Sequence, residues 1–521
     1  MYNVLTDNLF SVGRTDGVVL RASLPQTLQL AVQDRIESFP HLRPHQRPAF
    51  HAFLVQLACI ACDHAGFNVP PDTADGWQKV LRQLTTTWPD DAPWQLIVND
   101  SSKPALLQPP QPPDAPDLKG RVEQPDKLDM LVTSKNHDLK QRRMAHGAPE
   151  DWFFALLSLQ TQEGFLGAGN YGVARMNGGF ANRSYLTLAP EELRFGGRVF
   201  RDINAILSDT EKFYRAADVG SPTGHTLLWL LPWDGTESVR IEDCHPLYIE
   251  VCRRVRLGET GGCFHASTGN TKKPRVEAKA LAGNVGDPWL PLDIQKEPKA
   301  MTLTVGGFDY RRMAQLVTGA DSKYQLPYLA RPTVSERDIP LAYEAYGMVR
   351  GQGKTEGYHS RRVLIPPTVV SFFADPDQRE QLASRCKEFL ELAGVASGKV
   401  LRPALIQLFQ GQEDVEWKKP SNEALCRPWL SRMNNMVDGE FFALLFASLP
   451  SSQDEAATEF SRYLARLTRE VFVAAAEAAP QHPLRQRLAR VRAELFLTAA
   501  LRKHLPAQRF NEQEPSDERF A

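Results

Sequence analysis

From about residue 370 to the C-terminus one pattern recurs: a helix-start signal, then apolar residues at helical spacing. Asp375-Pro376 is an N-cap followed by proline at the first helical position, where its missing N–H is not needed. Leu382, Phe389 and Leu392 then share one face, and Gly394 is a C-terminal stop. "LCRPWLSRMNNMVDGEFFALLFASL" is a second helical region, with Gly439 a place for an interruption. Ser452 and Glu455 form a capping box that opens a third helix, with Phe460, Leu464, Leu467 and Val471 on one face. Pro483 opens the last, whose stripe of Leu484, Leu488, Val491 and Leu495 reads as core. Four amphipathic helices with short connections predict a C-terminal four-helix bundle over residues 369–521.

Residues 1–368 read differently, as a large mixed domain of short strands, helices and long loops; the fold class is α+β. "AFHAFLVQLACIACDHAG" reads as a buried helix ending near Gly66, and "WFFALLSLQTQ" as another. "LLQPPQPPDAPDLKG", residues 106–120, is a proline-rich linker or surface loop, and residues 224–310 alternate short strands with turns. A chain of 521 residues has room for several domains of roughly 100–200 residues each. Its formal net charge of −1 excludes a global field that would draw it onto a polyanion, so any such binding must come from local patches. The seven cysteines are scattered without a disulfide framework, which suits a reducing cytoplasm. The N-terminus lacks the basic flank and apolar run of a signal peptide, and no run of apolar residues is long enough for a membrane span.

Several segments carry candidate chemistry. Gly353-Lys354-Thr355 looks like the end of a phosphate-binding loop, but the first glycine of that motif belongs at Met348, and Gly347 misses by one. The alternative is a basic exposed turn with Arg350, Lys354, Arg361 and Arg362. Cys59-x-x-Cys62-x-His64 resembles a metal half-site inside an apolar helix, and Cys244, His245, Cys252, Cys263 and His265 form a looser cluster; neither has zinc spacing. No metal or other cofactor is expected. "LVTSKNHDLKQRRMAHG" contains Lys135, Asn136, His137 and Asp138, which suit either a metal nuclease or contacts to phosphates and base edges. "EGFLGAGNYGVARMNGG" has six glycines in residues 163–179, with Tyr171, Arg175 and Asn177 interleaved; it suits close backbone approach to a nucleic acid. "NTKKPRVEAKALAGNVGDPW" presents Lys272, Lys273, Arg275 and Lys279 on a protruding strand or hairpin. No catalytic constellation is complete, which favours binding over catalysis.

The order of these segments resembles a known family. "NVLTDNLFSV", "LVTSKNHDLK", "GFLGAGNYG", "AKALAGNVGDPWLP", "RGQGKTEGYHSRR" and "LARVRAELFLTAALRKHL" together resemble the large subunit of the type I-E CRISPR surveillance complex Cascade, the CasA family, over essentially the whole chain. The resemblance implies a non-catalytic subunit that recognises the protospacer-adjacent motif (PAM) on double-stranded DNA, starts strand separation and helps recruit a helicase-nuclease. Its partners would be the other Cascade subunits, the guide RNA and target DNA. It implies a glycine loop at Gly167, Ala168, Gly169 and Asn170, and a wedge at Gly351, Gln352, Gly353 and Lys354 with Gln352 as the inserted side chain. It further implies a lysine finger among Lys272, Lys273 and Lys279, with Lys273 first, and a PAM-proximal loop at Lys135, Asn136, His137 and Asp138. The alternatives are a nucleotide-binding protein using Gly353-Lys354-Thr355 and a metal-dependent nuclease using His137 and Asp138.

Overall fold

Two helices that are apolar on nearly every side organise the N-terminal unit. In Arg47–His64 every residue from Pro48 to Cys62 except His51 is buried, and in Pro149–Gln162 every residue from Trp152 to Gln162 is. A helix with no polar face must be enclosed. Edge-to-face rings join them to their neighbours: Phe50 and Phe154 lie 5.1 Å apart, Phe10 and Phe153 5.1 Å, and Phe39 and Phe50 5.0 Å. The computed structural model of the chain describes residues 2–130, 147–178, 181–351, 354–411, 414–479 and 483–505. These fall into two compact units, one of residues 1–308 and 323–370, the other of residues 309–322 and 371–521.

Apart from one long hairpin, the strands of the first unit are short, and all are gathered into small sheets. In one, Leu341–Gly351 lies between Lys354–Ile365 and Tyr185–Pro190, all antiparallel. In another, Cys263–Gly269 lies between Gly120–Val122 and Arg254–Thr260. Small sheets leave long irregular connections whose buried carbonyls need donors. Buried side chains supply them. Arg256 donates to the carbonyls of Val98, Lys103 and Asp100, and Arg275 to those of Leu228 and Leu231. Gln160 donates to the carbonyls of Leu107 and Arg253 while accepting from the Arg253 N–H. The arginines are thus loop staples, and Arg275 is buried rather than displayed on a protruding hairpin.

The second unit is helical, as the start signals imply. Asp375 caps Pro376–Val395, and Ser452 and Glu455 form the capping box of Gln453–Ala478. Gly394 does not stop its helix. The backbone continues through a π-helical segment, Ala396–Leu401, into Arg402–Gln410, where Gly411 in the left-handed region ends it. Gly439 does not interrupt Ser421–Ala447 either. The last helix, Pro483–His504, corrects a core assignment: Leu488, Val491 and Leu495 are 61%, 54% and 68% exposed. Among the described side chains of the helix the buried ones are Ala489, Ala493, Leu497, Ala500 and Leu501, and the helix packs against the segment 396–410. Small alanines let that helix approach closely, and packing overrode the stripe of larger apolar residues.

Candidate nucleic-acid interface

The glycine-rich segment forms a closed loop. Its neck is the hydrogen bond from the Val173 N–H to the Glu163 carbonyl, 3.0 Å. A methyl group on Gly172 would lie 2.7 Å from the Gly164 carbonyl carbon, so the neck requires glycine. At the tip the Asn170 N–H donates to the Gly167 carbonyl at 3.0 Å, and Gly169, third in the turn, has φ +84°, as a type II turn demands. Leu166 and Ala168 are exposed at this tip.

The base of the loop is anchored by charge that never reaches solvent. Both carboxylate oxygens of Glu250 accept from the Ala174 N–H, at 2.8 and 3.0 Å. Arg175 stacks on the Tyr248 ring at 3.7 Å, donates to the Tyr248 carbonyl and lies 3.8 Å from Glu250 and 3.5 Å from Asp287. Burial pushes the Glu250 carboxyl up to about 7, against the opposing pull of Arg175 and the Ala174 N–H. Arg175 is therefore a buried anchor and is not available to a nucleic acid.

Beside the tip runs the end of strand Cys263–Gly269. The Thr271 N–H donates to the Gly169 carbonyl at 3.0 Å, and the Asn270 side chain packs against Gly169. The next two residues, Lys272 and Lys273, are exposed, and both backbone N–H groups donate to the Gly235 carbonyl, at 2.6 and 3.2 Å. The structure therefore brings Lys272 and Lys273 next to the glycine loop. Lys279 is also exposed but stands further along the chain, on the turn Lys279–Leu281.

The third part is a long hairpin. Gly351 pairs with Lys354, so residues 352 and 353 are its connection. The register shifts between Val349 and Arg350: Val349 pairs with Gly357 but Arg350 with Thr355, which makes Glu356 an extra residue. Such a bulge bends and twists the strand and re-aims what lies beyond it. Gln352 and Gly353 lie outside the described residues, as do Lys135, Asn136, His137 and Asp138. The hairpin removes the geometry of a phosphate loop, since Gly353-Lys354-Thr355 leads into the strand Lys354–Ile365 and not into a helix N-terminus. It also corrects the basic-turn reading, because the Arg350 side chain is only 2% exposed.

The glycine loop, Asn270 and Arg350 of the hairpin line one cleft of about 420 Å³, together with Asp129, Glu163 and Arg253 among others. Met130, at its edge, is the residue before position 131. Sequence reasoning missed Glu163, Asn270 and the buried role of Arg350; only their adjacency to the glycine and lysine segments could have signalled them. Elsewhere, Cys59 and Cys62 are buried in their helix, with the Cys59 S–H directed at the Ile203 carbonyl and both thiols pushed up by burial. His245 accepts from the Leu247 N–H and bonds Tyr214. Among the described residues no three His, Cys, Asp or Glu side chains are grouped to hold a metal ion. No helix of the described residues is long and apolar enough to cross a membrane.

The complete architecture has counterparts among solved structures. Cse1 of Acidimicrobium ferrooxidans matches with a TM-score of 0.64 at 13% identity, covering 97% of this chain and 99% of that one. Cse1 of Thermobifida fusca matches at 0.64 and 17% identity, over 97% and 98%. A chain of a structure described as a CRISPR RNA-guided surveillance complex matches at 0.56 and 14% identity, over 95% and 99%. No protein-family model and no curated protein matches the sequence. At these identities the likeness is one of fold: an α+β chain with a helical C-terminal region, arranged as in Cse1.

Proposed function

We propose that this chain is the large subunit of a type I-E CRISPR RNA-guided surveillance complex, and that it reads the PAM on double-stranded DNA and starts strand separation. The observation that carries this reading is that the glycine loop is bonded both to the segment leading into Lys272 and Lys273 and, through Glu163, to Arg350 of the hairpin, within a fold shared end to end with Cse1. The subunit is non-catalytic, takes no cofactor, works in the cytoplasm alongside the other complex subunits and the guide RNA, and helps recruit a helicase-nuclease to the opened DNA.

The chemistry is that of minor-groove reading. The minor groove separates A·T from G·C chiefly through acceptors common to all pairs and one guanine amine. A lysine donor beside the glycine loop of Gly167, Ala168, Gly169 and Asn170 suits such tolerant reading. Gln352, on the two-residue connection of the hairpin, is the side chain that enters the base stack, at a cost of a few kcal/mol per step. Guide–target pairing then replaces the DNA pairing at near balance, so opening needs no nucleotide hydrolysis. Lys135, Asn136, His137 and Asp138 contribute a further PAM-proximal loop, entered from Met130. With a formal net charge of −1, the isolated chain neutralises few phosphates and binds DNA weakly outside the complex.

The test is whether the purified chain joins a guide-RNA-containing complex and makes target binding depend on the base pairs flanking the target. Within that complex, Gln352→Ala should impair binding to an intact duplex much more than to a target already unwound beside the PAM. Equal loss on both targets would refute the wedge.

A further inference from the structure

The Arg350 guanidinium lies where the hairpin, the neck of the glycine loop and the segment ending at Met130 join. Its Nη1 donates to the Met130 carbonyl at 2.6 Å and to the Thr355 hydroxyl at 3.0 Å, and its Nη2 pairs with the Glu163 carboxylate. Each partner belongs to a different strategic place. Thr355 is opposite Arg350, in the first pair beyond the bulge towards the hairpin end. Glu163 forms the neck of the glycine loop, with its carbonyl bonded to the Val173 N–H and its carboxylate to the Gly164 N–H. Met130 ends the segment that leads to residue 131. Both side chains of the Arg350–Glu163 pair are 2% exposed, so Arg350 cannot itself meet a phosphate.

We infer that Arg350 is a positioning residue that fixes the described end of the hairpin, at the Arg350–Thr355 pair, against the neck of the glycine loop, so that the two are presented to the DNA in one fixed relation. This inference rests on the proposed PAM-reading function and deepens it. The planar fork of arginine is what the site uses, because one guanidinium reaches a carbonyl, a hydroxyl and a carboxylate in fixed directions. A lysine keeps the charge but cannot span all three. The bulge at Glu356 bends the strand and re-aims the last pairs of the hairpin, and the clamp at Arg350 fixes where they then stand.

The test uses the assembled complex and three variants: Arg350→Lys, Glu163→Gln and the double variant Arg350→Met/Glu163→Gln, which leaves no buried carboxylate unpaired. Binding is measured as a function of salt, on an intact duplex with preferred or altered flanking base pairs and on a target unwound beside the PAM. Arg350→Lys should weaken duplex binding by about tenfold or more and shrink the flanking-base discrimination, while binding to the unwound target stays within about threefold of wild type. The slope of log affinity against log salt should not change, whereas losing a direct phosphate contact would lower it by about one. Equal loss on both targets, a changed salt slope, or wild-type behaviour of Arg350→Lys would each overturn the inference. If Arg350→Lys does not assemble, the double variant carries the same comparison, and failure of both to assemble makes Arg350 a folding residue and overturns the inference too. A wild-type complex that ignores the flanking base pairs would instead overturn the functional reading.

Discussion

Gly169→Ala tests the glycine loop at the point where its geometry is tightest. An alanine there must hold φ near +84°, which costs a non-glycine residue about 1–2 kcal/mol. Its methyl group would lie 2.9 Å from the Asn270 Cβ, 3.1 Å from its Cγ and 3.3 Å from its Nδ2. Carbon atoms prefer roughly 3.5–4.0 Å, so the loop and Asn270 must part by up to about 1 Å. That movement stretches the bond from the Thr271 N–H to the Gly169 carbonyl, worth about 1 kcal/mol net. Together these disfavour the observed loop position by about 2 kcal/mol or more, which is roughly thirtyfold in population. Duplex binding by the assembled complex should fall by that order. The isolated chain should also be cut faster near residue 169 by a limiting protease, a readout independent of any DNA role. A second-site pair separates the two causes. Asn270→Gly removes the nearest atom and should return about 1 kcal/mol, whereas Asn270→Ala leaves the Cβ in place at 2.9 Å and should return little. Wild-type binding and protease resistance in Gly169→Ala would refute the reasoning, and equal rescue by both Asn270 variants would place the conflict elsewhere.

On the last helix, replacing Leu488, Val491 or Leu495 by serine should change unfolding free energy by no more than about 0.5 kcal/mol, while Leu501→Ala should cost about 2–5 kcal/mol in denaturant titrations. Glu250 sits near 7 in the folded chain, above its unfolded value of about 4.3, so its contribution is fully present below about pH 4 and is lost as pH rises through 7. Relative to Glu250→Gln, the wild-type chain should therefore lose on the order of 2 kcal/mol between about pH 5 and pH 8, and parallel pH profiles for the two would contradict this. Lys272→Ala and Lys273→Ala should each lower the salt slope of duplex binding by up to about one, and Lys279→Ala should leave it closer to wild type, because only the first two adjoin the glycine loop.

The parts of this molecule legible in the sequence were those governed by local chemistry. The capping box at Ser452 and the proline start at Pro376 depend on a few adjacent residues, and the glycine turn at 167–170 on two backbone angles. What depended on distant packing was hidden. Nothing local tells that the helix runs past Gly394 into a π segment, that Tyr310–Thr318 joins the second unit, or that Ala489, Ala493 and Ala500, and not Leu488, Val491 and Leu495, lie on the buried face of the final helix. The hairpin 341–365 was obscured because Lys354–Ile365 carries polar residues on both faces and both strands contain glycine, so neither period nor composition marks them.

The charge pattern misled for a different reason, and that reason bears on function. Among the described residues nine arginines are buried and no lysine is. Arginine is weakly hydrated and carries a fork of five donors, so a fold built from long loops can use it to tie several carbonyls at once. Lysine is a strongly hydrated point charge with no such geometry and stays in water. A cluster such as Lys272, Lys273 and Arg275 therefore divides on folding: Arg275 goes inward to the carbonyls of Leu228 and Leu231, and the two lysines remain outside beside Gly169. The same division separates Arg175 and Arg350 from solvent. On the proposed reading, the exposed Lys272 and Lys273 are the groups that would meet a phosphate or a groove, while the buried arginines fix where the neighbouring loops stand.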